Sequence, residues 1–344
     1  AFCTSTFFGG AVAGYTESKL AFRGRSSIVH STARFGGAIY GHYVVAADET
    51  AVADCSALDV GGGVFAMHLI LEGQATIARC VANAGGGVAA WVNFTGFSND
   101  RGTVVLRDAA TVTDCQANSL GGGVWTSELT MEGHATISHC TAGASTSDGG
   151  GGFAAIAEGG GGGAAVDYMW ARDHATITNC TTTRNGGGVL APRMVYYHPA
   201  FVVRIALTDN ARITQCTARS GGGIFAENVP TVGFSLASLS MSAFAHIDDC
   251  HATSNDGGGI YLRGNAEIVD SATIAGCTAQ RGGGIYIEQT SFKVLGVTIR
   301  GDAMISNCVA SKAGGGVAFG GATLGTIGAH ITLSGNVGVV DCVA

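Results

Sequence analysis

Short apolar runs, alternating or β-branched, recur along the chain between glycine, aspartate and asparagine. One phrase repeats: Ala-Thr-Ile-x-x-Cys-x-Ala, a spacer, then Gly-Gly-Gly-Val. It stands at Ala75–Ile77 with Cys80 and Gly85–Val88, and at Ala175–Ile177 with Cys180 and Gly186–Val189. It returns at Ala272–Ile274 with Cys277 and Gly282–Ile285, while Ala135–Ile137 precedes Cys140. Looser copies surround Cys55, Cys115, Cys216, Cys250, Cys308 and Cys342, and Ser31 takes the cysteine's place in the copy from Ile28 to Tyr40. The shortest copies, Cys55 to Cys80 and Cys115 to Cys140, are 25 residues long. Each holds three apolar segments of the type Val124-Trp125, Leu129-Thr130-Met131 and Ala135-Thr136-Ile137, separated by turn residues such as Glu132-Gly133-His134. That pattern predicts three strands and three turns per unit. Glycine triplets and Thr-Ile pairs oppose helix.

A unit this small cannot bury its own apolar face, but stacked units bury a continuous core. The predicted fold is therefore all-β: a parallel β-helix solenoid of triangular section, with about eleven rungs of about 25–40 residues and a length of about 50 Å. Residues 1–344 read as one domain that starts and ends within a rung. The longer units add residues mainly between the glycines and the second apolar segment. Pro192, Pro199 and Pro230 all fall there, as expected of a residue that removes a ladder hydrogen bond. Insertions at one register predict one decorated edge.

Composition narrows the function classes. Of 344 residues 56 are glycine, without a three-residue period, and only three are proline, which excludes collagen. The apolar share of 47% and net charge of −7 exclude intrinsic disorder. No apolar run reaches the roughly 18 residues of a membrane-spanning helix. Lys19, Lys293 and Lys312 are the only lysines and the arginines are scattered, so no basic patch marks a nucleic-acid partner. Charged residues make up 12% of the chain, which predicts a surface rich in small residues, packed against neighbours or covered by glycans.

The eleven cysteines share one repeat position. Stacked Cα atoms about 4.8 Å apart lie within the disulfide range, so neighbouring rungs allow bridges at Cys55–Cys80, Cys115–Cys140, Cys180–Cys216, Cys250–Cys277 and Cys308–Cys342. A column of free, buried thiols is the alternative. Cys-x-x-Cys spacing is absent, so neither a metal nor another cofactor is expected. Asp54, Arg79, Asp114 and His139 occupy the position before the cysteine in successive rungs and read as a surface ladder of alternating charge. His134 and His174 read as turn residues, because Gln74 and Asn210 hold the same place. The glycine triplets read as corners of positive φ and as a bare strip open to another surface. Sequons begin at Asn93 and Asn179. Trp91, Phe94, Phe97, Tyr168, Trp170, Tyr196, Tyr197 and Phe201 concentrate in the insertions. They either cover small local cores or form a contact edge for a partner or sugar.

Gly36-Gly37-Ala38-Ile39-Tyr40, preceded by Ile28-x-x-Ser31-x-Ala33, resembles the repeat of chlamydial polymorphic outer-membrane proteins, which pair a Gly-Gly-Ala-Ile-type motif with Phe-x-x-Asn. The likeness extends over almost every rung, with Cys or Ser in place of the asparagine. It implies a right-handed β-helix of the pectin-lyase type, located outside the cell or on its surface, acting as adhesin or surface structure. Three function classes follow. The first is a non-enzymatic structural or adhesive protein, a subunit of a filament formed by end-to-end or lateral self-association. The second is a carbohydrate-binding module using the aromatic edge. The third is an atypical polysaccharide lyase or hydrolase, for which no known signature is present. The partners expected are further copies of the chain, glycans or cell-surface proteins.

Overall fold

The computed structural model describes residues 3–15, 17–90, 101–143, 159–191, 203–227, 237–289, 295–320 and 329–344. Every regular element among them is a strand. The strands form long parallel sheets, two of which contain eleven strands each. The fold is an all-β parallel solenoid.

One rung illustrates the path. Ser56–Val60 lies on one face, Val64–Leu71 on a second and Thr76–Ala78 on a third. We call these the post-cysteine face, the long face and the Thr-Ile face. The sequence pattern divides the strands differently. Val124–Thr126 and Glu128–Met131, expected on separate faces, are two halves of the long face. The remaining face is Gln116–Leu120, read from sequence as a spacer. Only Ala117 and Leu120 of that strand are buried, and a register shift interrupts its pairing with Val81–Ala84. Together these erase the two-residue period on which strand recognition depends.

Three left-handed corners close each rung. The residue before the cysteine takes positive φ in rung after rung: Asp54 54°, Arg79 51°, Asp114 54°, His139 53°. A second such position follows the long face, at Asp108 (61°) and Gly133 (67°). Asp and Asn tolerate this region better than most residues. At the second corner the aspartate adds a bond between rungs: the Gly73 and Gly133 N–H groups donate to the Asp108 and Asp173 carboxylates, each at 3.0 Å.

The first glycine of each triplet supplies the third corner, as at Gly121 with φ 59°. The second is required by close approach. A Cβ on Gly122 would lie 2.3 Å from the Gly162 carbonyl oxygen and 2.4 Å from that of Thr141. The strip is not open to another surface. The glycines are buried, and Val60, Phe65, Leu120, Trp125, Leu190 and Phe225 belong to a second apolar cluster beside the corner. Phe65 alternates with the core residues Val64 and Ala66, so it lies on the opposite side of its strand.

The main core stacks like on like. Val112, Ile137 and Ile177 pair in register and are essentially inaccessible, each contributing about 1.5–3 kcal/mol by burial.

The cysteines continue this column as free thiols. Cys55, Cys80, Cys115, Cys140, Cys180, Cys216, Cys250, Cys277, Cys308 and Cys342, and also Cys3, are all unbridged, which is the free-thiol alternative. The Cα criterion was met, but it is insufficient. Residues related by translation along the stack keep their Cβ atoms about 4.8 Å apart, beyond the roughly 3.5–4.5 Å a bridge needs. The thiols also share one orientation. Cys80, Cys115 and Cys140 each donate to the carbonyl two residues earlier, at 3.2–3.3 Å. Burial pushes the Cys115 thiol further from ionising. Without bridges, the column says nothing about an oxidising compartment.

Candidate functional site at the edge of the long face

In one rung the long face is the single strand Val64–Leu71. It pairs with both Val88–Ala90 and Thr103–Leu106 of the next rung. Ala66 faces Ala90 and His68 faces Thr103, so Met67 alone spans what residues 91–102 span one rung later. Segments 192–202, 228–236, 290–294 and 321–328 interrupt the same face at the equivalent place, whereas 144–158 falls between the post-cysteine face and the glycine corner. The longest unit is thus interrupted in a second place.

The position just after the interruption stacks into a polar column that includes Tyr43, His68, Thr103, Glu128, Tyr168 and Arg204. Of the expected aromatic edge, Tyr168 and Trp170 are described. Trp91, Phe94, Phe97, Tyr196, Tyr197 and Phe201 lie outside the described residues, as does Asn93. Neither Tyr168 nor Trp170 belongs to an insertion. Both sit on the strand Tyr168–Ala171, which pairs with Glu128–Met131 on one side and Arg204–Leu207 on the other. Tyr168 is 8% exposed and Trp170 43%. Their rings stack at 6.0 Å with 12° between planes. Asn179 is an exposed left-handed corner residue.

Around this pair the chain gathers charge. The Arg101 guanidinium lies 4.5 Å from the Tyr168 ring centroid and donates to the Glu128 carboxylate at 3.0 Å. Beside them Asp167 is 7% exposed. Its backbone N–H donates to the Ser127 carbonyl at 3.1 Å. Burial pushes its carboxyl up to about 7, with the Arg101 charge pulling it down and the Glu128 charge pushing it up. Sequence reasoning does not single out Asp167, because the repeat marks only aspartates at turns, such as Asp54 and Asp114. The available signal was an aspartate between Val166 and Tyr168, two residues before a run matching the core phrase of other rungs.

Other clusters close on themselves. Arg79 forms a two-point pair with Asp54 at 2.7 and 2.8 Å, and that contact holds the Asp54 carboxyl below its usual range. His134 and His174 stack at 4.9 Å on exposed turns. A shallow depression at the second corner is lined by Glu72, Arg107, Asp108, Glu132, Gly133 and Asp173. Its charged groups are engaged through Arg107–Glu72, Arg172–Glu132 and the aspartate–glycine bonds. Arg263 joins Glu227 to Glu288, which also accepts from the Tyr261 hydroxyl. No group of three or more His, Cys, Asp or Glu able to hold a metal occurs among the described residues. No helix there is long and apolar enough to cross a membrane.

No protein-family model matches the chain, and neither a curated protein nor a solved structure does.

Proposed function

We propose that this chain is a non-enzymatic structural or adhesive protein of the cell surface or extracellular space, a subunit of a filament or fibrous assembly that makes its contacts along the edge of the long face. The observation that carries the reading is the constancy of register across interruptions of very different length. His68 still faces Thr103, and Tyr168 still faces Arg204. A rod that accepts variable segments at one register without disturbing its stack suits repeated presentation of contact surfaces. The repeat's resemblance to polymorphic outer-membrane proteins points the same way. Electron microscopy of the purified chain, with binding of labelled protein to cells and matrix, tests it. Rods or fibres that bind would support the reading; compact particles that bind nothing would refute it.

A second reading, a carbohydrate-binding module, is favoured by Trp170. An exposed indole stacked on a neighbouring tyrosine provides the flat apolar surface with polar rim that sugar rings select. This reading specifies the contact and is compatible with the first.

A further inference from the structure

Arg204 is exposed, and it stands in register beside Tyr168 one rung along. The nearby ion pairs, Arg101–Glu128 and Arg172–Glu132, do not include it. Trp170 lies two residues further along the adjacent strand. Strand spacing and rise place the two Cα atoms about 8 Å apart. The residues flanking Trp170 on its neighbouring strands are the short Thr130 and Ala206, so the indole stands above its surroundings. An apolar platform and a guanidinium at this separation suit a ring that carries a negative group at its edge. Guanidinium recognises carboxylate or sulfate oxygens through paired hydrogen bonds.

From this juxtaposition we propose that Trp170 and Arg204 form a subsite for an anionic sugar residue, the indole stacking on the ring and the guanidinium pairing with its carboxylate or sulfate. The inference rests on the carbohydrate-binding reading above. The nearby acids do not oppose it: Glu128 is paired with Arg101, and Asp167, buried, is largely neutral below a pH of about 7. Tyr168 stacks beside the indole, its ring centroid 6.0 Å away.

The test is equilibrium binding of the purified chain, at pH 6 and low salt, to a polyuronate, a sulfated galactan and a neutral glucan. Preference for either anionic polymer of at least tenfold over the glucan is expected, and the two anionic arms separate carboxylate from sulfate recognition. Arg204→Gln should lower anionic binding at least tenfold, and Arg204→Lys should restore part of it. Trp170→Ala should lower binding to every polymer that binds. Equal affinity for the neutral glucan, with Arg204→Gln unchanged, would overturn the anionic assignment while leaving the carbohydrate reading intact. Failure of all three polymers to bind would overturn both.

Discussion

At the glycine corner the second residue of each triplet faces the backbone of the next rung. An added Cβ would meet a carbonyl oxygen at 2.1 Å from Gly62 and at 2.3 Å from Gly86, Gly122 and Gly187. A few residues later, on the long face, the chain crosses with Met67 alone in one rung and with residues 91–102 in the next, and the strands on both sides stay in register. The two regions differ in what holds rungs together. The corner is a contact of backbone on backbone, which any side chain spoils. The long face requires only that its two halves each pair, so the chain between them is free to vary. Sequence variation therefore collects where the ladder is interrupted, and the polar and aromatic chemistry gathers beside it.

The contrast can be broken by mutation. Gly187→Ala should destabilise the protein by more than the roughly 1–3 kcal/mol of ordinary overpacking, or prevent folding, because the added Cβ meets backbone that cannot yield. Circular dichroism and thermal melting would register it, and a melting temperature within a few degrees of wild type would contradict the account of the corner.

Asp167 sharpens the comparison from the other side, since the long face tolerates a buried carboxyl at a cost. Its native pKa of about 7 lies above the unfolded value near 4. Between these limits the native state binds more protons than the unfolded state, so stability falls as pH rises from about 4 to 7 and then levels off. The effect is at most about 4 kcal/mol for a shift of roughly three units. Asp167→Asn should abolish this slope and be the more stable protein at pH 8. Urea unfolding at pH 5 and pH 8 measures both.

A smaller effect is expected from lengthening the long face. Ten Gly/Ser residues inserted between Ala66 and Met67 should cost about 2 kcal/mol of loop closure and leave the solenoid folded. Loss of the strand signal would mean that the interruption site is not permissive. Least of all should reductant matter. Eleven thiols should alkylate in unfolded protein without prior reduction, and melting should not shift with dithiothreitol.

Much of this architecture was legible because the solenoid repeats its constraints. The recurrence of Ala-Thr-Ile before Cys80, Cys140, Cys180 and Cys277, with looser copies elsewhere, identified the Thr-Ile face, and Val112, Ile137 and Ile177 stack there as the pattern required. The post-cysteine face was not legible, because Gln116–Leu120 buries two residues on either side of a register shift. Cα spacing left bridges and free thiols both open, and Cβ direction is what separates them. The size of the thiols has a reason visible only in space: a Cβ on Gly123 would lie 3.0 Å from Cys140 Sγ, so bare glycine and small thiol fit one another. Trp170 was recognised as a surface aromatic but assigned to an insertion, and Asp167 carried no local motif because its burial arises between rungs.

The glycine corner holds the stack, and on the proposed function the edge of the long face makes the contacts. Thermal melting and glycan binding measured side by side on Gly187→Ala and Trp170→Ala test it most directly. The account predicts that Gly187→Ala loses the fold, while Trp170→Ala melts as wild type does and loses binding at least tenfold. A folded, stable Gly187→Ala, or a Trp170→Ala that unfolds or binds as before, would contradict it.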